Sequence, residues 1–427
     1  MRISYKDLWL KLSSSSLFKN SFWAVFGNGV GHFLLLLAGI IIARLLGKDL
    51  YGEYGMVKTT MFHIASFSTL GLGFTSTKYV ADAVCNYPYR LKNIIRTSLG
   101  TTFGFSLFLC VLLFLFANEL ALFIEEPDTA LAFKALGIIV VLRAVNTVSA
   151  GVLGGYKAYR AVGINSIVSG IVLLVLAGFL TYRIGVVGSF IALSISQLVN
   201  AILNVVVVLK FYKQEEGDED VSKDMIYFTF PVAIQEFSYM LCTWGGTMIL
   251  TKYASFGDVG LWSAASQWNA IIMFIPSLLS NVVLSYLSGL SGKQDSRQKM
   301  LNKMLLINFV CSAIPFIIVY LLAGIISSFY GQTFGELKPI LRVLTLSTIF
   351  ICLSNVYQSN LLSEGKNWVL LAMRVIRDSL MLSSLWIVLY NGVEHAAMAY
   401  SWIYVIIYVV YFSLMYFFHK LSKYNVV

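Results

Sequence analysis

The sequence predicts an all-α polytopic membrane protein, with about twelve transmembrane helices in two parallel six-helix lobes around a central cavity. Three observations predict it. Apolar residues make up 58% of the chain and charged residues only 12%, where soluble domains carry about 25% charged. The apolar residues come as continuous runs of roughly 20, the length that crosses a hydrocarbon core of about 30 Å as a helix, and far longer than the alternating strands of a membrane barrel. The chain also repeats itself. Arg44 and Gly52-Glu53-Tyr54 recur 208 residues later as Lys252 and Gly260-Leu261-Trp262, and Asn146, Leu153 and Lys157-Ala158-Tyr159 recur 209 residues later as Asn355, Leu362 and Lys366-Asn367-Trp368. A repeat of this size in an apolar chain is a transporter signature, with the substrate path between the halves.

The spans follow in order. In the first half they cover residues 20–43, 52–75, 95–117, 130–154, 161–182 and 186–211; in the second, 226–251, 259–287, 304–329, 337–362, 368–390 and 395–419. The span 52–75 is interrupted by Lys58 and His63, and 337–362 by Arg342. An even count puts both termini on one side. The loops on that side carry 20 Lys and Arg and those opposite carry 6, which predicts cytoplasmic termini. The acidic stretch from Glu215 to Asp220 predicts a solvated linker, so the chain divides into a first lobe over 1–212, a linker over 213–224 and a second lobe over 225–427.

The net charge of +10 follows from these loop cations rather than from a soluble basic patch, so no nucleic-acid partner is expected. The five cysteines are scattered without C-x-x-C spacing, so neither a metal site nor a disulfide framework is predicted. No cleavable signal peptide is apparent, since the polar start leads into a full-length span. No catalytic constellation, nucleotide-binding motif or cofactor motif is present, so the chain is not predicted to be an enzyme.

Five cations lie within spans: Lys58, Arg143, Arg342, Arg374 and Arg377. A cation at a helix centre costs about 2.5–3.5 kcal/mol and ordinarily faces a bundle interior or a wet cavity. Arg143 is the sharpest case, near mid-span with no acid close in sequence. Arg143, Lys58, Arg377 and Arg374 are therefore the candidate substrate-cavity cations, each with a buried structural pair as the alternative. Asp378 is four residues beyond Arg374, the spacing of a helical ion pair. Arg342, near the start of its span, reads as interfacial. Glu236, inside a span and five residues after Pro231, and His32 are candidates for ion coupling; a hydrogen-bonded interior histidine is the commoner outcome for His32 and His63. Arg44 and Lys252, paired by the repeat, are candidate gate or fold residues. Gly27, Gly29, Gly31 and Gly39 give the first span a small-residue face for close helix packing. Pro231, Pro276 and Pro315 mark expected kinks.

The segment Asn20, Trp23, Gly27 followed by Ala43-Arg44-Leu45-Leu46-Gly47-Lys48-Asp49-Leu50-Tyr51-Gly52-Glu53-Tyr54 resembles the Wzx-type polysaccharide flippases. Gly71-Leu72-Gly73 and Lys78-Tyr79-Val80-Ala81 extend the likeness. This is the O-antigen branch of the multidrug/oligosaccharidyl-lipid/polysaccharide (MOP) exporter superfamily. The resemblance is sharpest over residues 17–82 and is carried elsewhere by length, span count and the repeat. It implies the MATE-like fold and a bacterial inner-membrane location. It also implies alternating-access transfer of an undecaprenyl-pyrophosphate-linked oligosaccharide from the cytoplasmic to the periplasmic leaflet, for O-antigen or a similar surface polysaccharide. The polysaccharide polymerase and chain-length machinery become candidate partners beside the lipid bilayer. Cations within the membrane fit such a substrate independently, because a pyrophosphate in a low dielectric needs positive partners. Twelve spans argue against the fourteen-span lipid II branch. A drug/cation antiporter of the same fold would need an acidic cation site, for which Glu236 is the candidate. A membrane-embedded glycosyltransferase or polymerase would need catalytic carboxylates or a sizeable loop domain.

Overall fold

The computed structural model describes residues 16–123, 130–215, 217, 219–289, 294–364 and 366–424. Among them the chain is helix and short turns, with no strand. The helices are α1 (Ser16–Ser68), α2 (Leu72–Asn86), α3 (Leu91–Leu115), α4 (Ala117–Phe123), α5 (Ala130–Gly155), α6 (Tyr159–Gln214), α7 (Ser222–Tyr253), α8 (Phe256–Gly289), α9 (Gln294–Tyr330), α10 (Leu337–Ser363), α11 (Asn367–Tyr390) and α12 (Ala396–Tyr424).

Seven segments of the described residues are long and apolar enough to cross a membrane, and two of these, Val25–Ser68 and Tyr159–Lys213, run to 44 and 55 residues. At 1.5 Å per residue each of the two holds two passes. The breaks come where the sequence places loops. In α1 the helical backbone is lost at Gly47, with φ of 75°, a left-handed conformation that glycine adopts without steric cost. In α6 it is lost at Ile184 and Gly185. The second predicted span does not run unbroken over 52–75. Its helix stops at Ser68, turns through Leu70 and Gly71, both at positive φ, and resumes as α2 as far as Asn86. Cut at these turns, and with α2 completing the interrupted pass, the described helices make twelve passes.

Two compact units emerge, one of Met1–Ala38 with Val57–Trp244 and one of Gly39–Met56 with Gly245–Val427. The middle of α1 thus packs in the second unit and most of α7 in the first. In the first unit an apolar cluster forms around Leu72, Ile94, Val148, Val152, Val208 and Met225. The small-residue face of α1 packs as its composition predicts. A Cβ on Gly27 would strike the backbone of Gly163, and one on Gly31 would meet Ser166 at 3.0 Å, so α1 and α6 touch almost backbone to backbone.

The described part of the acidic linker makes contacts with the first unit while Glu219 and Asp220 stay exposed; Glu216 and Asp218 lie outside the described residues. Tyr156 Oη donates to Glu215 at 2.9 Å, Arg90 pairs with Glu219 at 2.7 Å, and the buried Val221 amide donates to Asn93 Oδ1 at 3.2 Å. Asp220 accepts from the Ser222 amide at 2.9 Å. The Ser222 hydroxyl and amide together hold the Asp220 carboxyl below its ordinary value. A charge run is expected to be solvated, but here donors on the same unit are within reach of it.

In the second unit a core forms around Val283, Leu301, Val356, Tyr357, Leu370 and Tyr411. Here the repeat becomes a contact. A Cβ on Gly52 would strike the carbonyl of Phe256, and one on Gly260 would strike the carbonyl of Lys48. Phe256 and Gly260 are the repeat partners of Lys48 and Gly52, so each copy presents its glycine to the other copy's carbonyl. Reciprocal contact of this kind is what a two-fold relation produces. Only residues without a Cβ allow the backbones so near.

Candidate functional site

Four of the five cations predicted inside spans fall in two places. In the first unit α5 carries Arg143 and α1 carries Lys58, with Phe62 one turn further along. The Arg143 guanidinium lies 3.8 Å from the Phe62 ring centroid and the Lys58 ammonium 5.7 Å from it. One ring thus receives two cations. His32, His63 and Lys58 all lie in the electrostatic field of Arg143. His63 Nδ1 is 3.2 Å from Thr243 Oγ1, and the Trp244 indole donates to Thr60 Oγ1 at 3.1 Å, which fixes the wall behind Phe62.

Arg143 and His32 border a cavity of about 200 Å³. Its wall is built by helical periodicity. Asn28, His32 and Leu35 stand at i, i+4 and i+7 on α1, Ser166, Ser169 and Gly170 come from the first half of α6, and Ser196, Gln197 and Asn200 from the second half. Hydroxyls and amides dominate, and among the described residues no carboxylate lines it. Behind the wall Asn165 donates to Asn204 at 2.7 Å and Asn204 donates on to Asn146 and Asn200, a buried amide chain that fixes α5 against α6. Ser196 donates to the Ser169 carbonyl at 2.9 Å. Gln197 Oε1 is buried and accepts no hydrogen bond from the described residues.

Magnitudes decide what Arg143 does there. Cation–π contact contributes about 0.5–2 kcal/mol, less than the roughly 2.5–3.5 kcal/mol needed to hold an arginine at a helix centre. Among the described residues no carboxylate pairs with Arg143. The ring alone therefore leaves Arg143 under-compensated among the described residues.

Arg374 and Arg377 lie in the second unit and are satisfied. Arg377 pairs with Asp378 at 2.6 Å, its side chain 11% exposed, and its guanidinium sits 4.9 Å from the Tyr411 ring and 5.3 Å from the Tyr408 ring. The i,i+4 pair expected between Arg374 and Asp378 is not formed. Asp378 turns to its neighbour Arg377, and Arg374 donates to Gln358 Oε1 from Nε at 3.0 Å and again from Nη2. A neutral amide on α10 completes Arg374 and leaves the carboxylate to the more buried guanidinium. Arg44 and Lys252 are exposed, both in the second unit. Glu236 lies on α7, but its side chain, like that of Pro231, is outside the described residues. Arg342 lies near the start of α10, donates from Nε to the Tyr320 carbonyl at 3.3 Å and covers the Tyr320 ring at 4.7 Å.

The sequence did not single out Phe62, Gln197 or the serines of α6. Phe62 is an aromatic in an apolar run, which composition cannot separate from core. Ser166 with Ser169 and Ser196 with Asn200 are legible in retrospect as polar residues three and four apart within membrane spans.

Comparison with known proteins gives one direction. Residues 17–291 match the polysaccharide biosynthesis protein family, and residues 290–424 match a second family of the same description. A protein of Shigella flexneri named for O-antigen transport is 24% identical over 370 residues, covering 82% of this chain and 86% of its own. The lipid III flippase of Escherichia coli (strain K12) is 22% identical over 421 residues, covering 93% of this chain and 97% of its own. Among solved structures, an inward-facing multidrug resistance MATE family transporter of the MOP superfamily aligns at a TM-score of 0.78 with 13% identity, over 95% of this chain and all of that one. The lipid II flippase MurJ in an inward closed conformation aligns at 0.72 with 15% identity, over 93% of this chain and 87% of that one. Both share the all-α MOP fold with this chain.

Proposed function

Because the chain belongs to the polysaccharide biosynthesis protein family, we propose that it is a flippase for lipid-linked oligosaccharides. It moves an undecaprenyl-pyrophosphate-linked repeat unit of O-antigen or a similar surface polysaccharide from the cytoplasmic to the periplasmic leaflet of the inner membrane. The observation that carries this reading is Arg143, a half-buried cation with an aromatic platform and no carboxylate partner among the described residues, on a cavity lined by sugar-compatible hydroxyls and amides. The guanidinium presents parallel donors to a phosphate, Lys58 adds a second charge, and Gln197 Oε1 accepts from a sugar hydroxyl. The lipid tail stays in the bilayer. Both termini are cytoplasmic, by the loop-cation excess on their side. The relatives are transporters and flippases, and the chain acts as a carrier and not as an enzyme. The polysaccharide polymerase and chain-length machinery are proposed as its partners on the far side.

Complementation of a flippase-deficient strain tests the reading. Arg143→Ala should lose surface polysaccharide while membrane insertion persists, because a charge-assisted contact of about 1.5–3 kcal/mol corresponds to roughly 10- to 100-fold in rate. Arg143→Lys should keep part of the activity. Normal polysaccharide from Arg143→Ala would remove the cationic cavity from the mechanism. A second test addresses coupling: with Glu236 as the ion-coupling acid, Glu236→Gln should abolish the dependence of transport on an imposed ion gradient in vesicles. Unchanged gradient dependence would exclude it.

The drug/cation antiporter reading needs a carboxylate in the cavity, and among the described residues none lines the one around Arg143.

A further inference from the structure

The second unit carries a groove of about 440 Å³ that the transport reading does not use. It opens between α9, α10 and α12. Its floor is apolar, with Phe316, Val343, Leu346 and Met398 among the lining. Its rim is cationic, with Lys338 and Arg342 one helical turn apart on α10. Among the described residues neither cation meets a carboxylate, and Glu336 and Glu394, the nearest acids in sequence, are not part of the lining. Arg342 is held in place from below by the Tyr320 carbonyl and ring. Trp402 stands on the same rim, 47% exposed, and its indole N–H donates to no described residue.

Depth locates the rim. Arg342 is five residues into α10 and Trp402 six residues into α12, and both helices start on the side opposite the termini. At 1.5 Å per residue each is about 8–9 Å below its helix start, the level at which aromatic belts and lipid phosphates meet. An apolar floor with a doubly cationic, indole-bearing rim at that level complements a lipid whose head is an anion.

We propose that this groove binds an anionic phospholipid of the leaflet opposite the termini, with its phosphate between Lys338 and Arg342 and the first part of an acyl chain along the floor. A free phosphate gains nothing from the apolar floor. A zwitterionic lipid brings an amine toward two cations. The site is independent of the Arg143 cavity and does not rest on the flippase reading.

Native mass spectrometry of the full-length protein in detergent tests this, with phosphatidylglycerol and phosphatidylethanolamine as probes. Each cation near a membrane surface is worth about fivefold for an anionic head, so phosphatidylglycerol adducts should outnumber phosphatidylethanolamine adducts on the order of tenfold. Lys338→Gln with Arg342→Gln should bring the two lipids level. Met398→Trp, which fills the floor, should weaken both. Arg183→Gln, at an exposed cation of the first unit on the same side, should change neither. Thermal melts establish that each variant is folded; if Arg342→Gln unfolds the chain, Lys338→Gln alone should still lower the preference about fivefold. A full phosphatidylglycerol preference in the folded double variant overturns the proposal. So does displacement of the lipid by equimolar inorganic phosphate, which would make this a simple anion site. Displacement by equimolar polyprenyl phosphate also overturns it and gives the groove to the carried lipid.

Discussion

Arg143 and Arg377 are the same residue type in the same solvent, and their surroundings differ in one respect. Each stacks on aromatic rings within its unit, Arg143 on Phe62 and Arg377 on Tyr408 and Tyr411. Arg377 also has a carboxylate at 2.6 Å, and Arg143 has none among the described residues. A buried cation with its counter-ion is a finished structural element. A half-buried cation with only a ring beneath it, as Arg143 is among the described residues, is open to an anion, which is the role proposed for it. The presence of a charge in a membrane span therefore does not by itself mark a substrate site, and the role proposed for Arg143 turns on its having no carboxylate among the described residues.

The comparison is broken most severely by exchanging the two defects. Arg143→Ala should abolish transport and leave thermal stability unchanged or slightly raised, because an under-compensated charge has been removed. Asp378→Ala should do the opposite to the fold, since removing one partner of a buried pair costs about 3–5 kcal/mol. Melting of the detergent-solubilised protein reads both. The double variant Arg377→Met with Asp378→Leu should recover most of the lost stability, because apolar replacement of a whole buried pair is close to neutral. If Arg143→Ala melts as low as Asp378→Ala, then Arg143 has a structural counter-ion and the distinction between the clusters is void.

This distinction was only half legible in the sequence. Composition and run length were enough for the helical passes, and Gly47 and Gly185 turn where loops were expected, because glycine alone tolerates such backbone angles without cost. The break at Ser68–Gly71 was hidden, since an apolar run looks the same whether its helix is continuous or interrupted. Arg143 was visible as a cation far from any acid in sequence. Its platform was not, because nothing distinguishes Phe62 among the 30 phenylalanines and many aliphatic positions until the fold places it. Spacing favoured Arg374 for Asp378, yet helical reach only lists possible partners, and burial and the neighbouring Gln358 decided between them. The partners of the acidic linker were hidden for the same reason: Arg90, Asn93 and Tyr156 are remote in sequence and adjacent in the fold.

The repeat sharpens the comparison from the other side. Gly52 and Gly260 kept both identity and contact, whereas Arg143 aligns with Cys352 and Lys58 with Ser266. The repeated glycines build the frame, and the in-span cations Arg143 and Lys58 are among the residues that do not repeat. Gly52→Ala and Gly260→Ala should each destabilise by about 1–3 kcal/mol through overpacking against a carbonyl, although alanine is the better helix former by about 1 kcal/mol. Both report on one contact, so the double variant should cost less than the sum, by about 0.5–3 kcal/mol of coupling. Gly100→Ala, with open space around it, supplies the control and should not destabilise. Additive losses would mean that the two glycines serve separate contacts.

The smallest effect tests whether the cavity around Arg143 is a site or only a flaw in packing. Gln197 Oε1 is buried without a donor among the described residues, and such an atom costs about 1–3 kcal/mol wherever it occurs. Gln197 lines the cavity, where a sugar hydroxyl could supply the missing donor. Gln197→Leu removes the acceptor, so stability should rise by about 1 kcal/mol, while transport of the sugar-bearing lipid falls several-fold for want of one hydrogen bond. Ser196, whose hydroxyl is already committed to the Ser169 carbonyl, should behave oppositely: Ser196→Ala should lose a little stability and little transport. Measured together by melting and by surface polysaccharide, the two substitutions separate the atoms that hold the wall from the one that faces the cargo. Equal behaviour of the pair would make Gln197 part of the wall and leave Arg143 to recognise its anion without it.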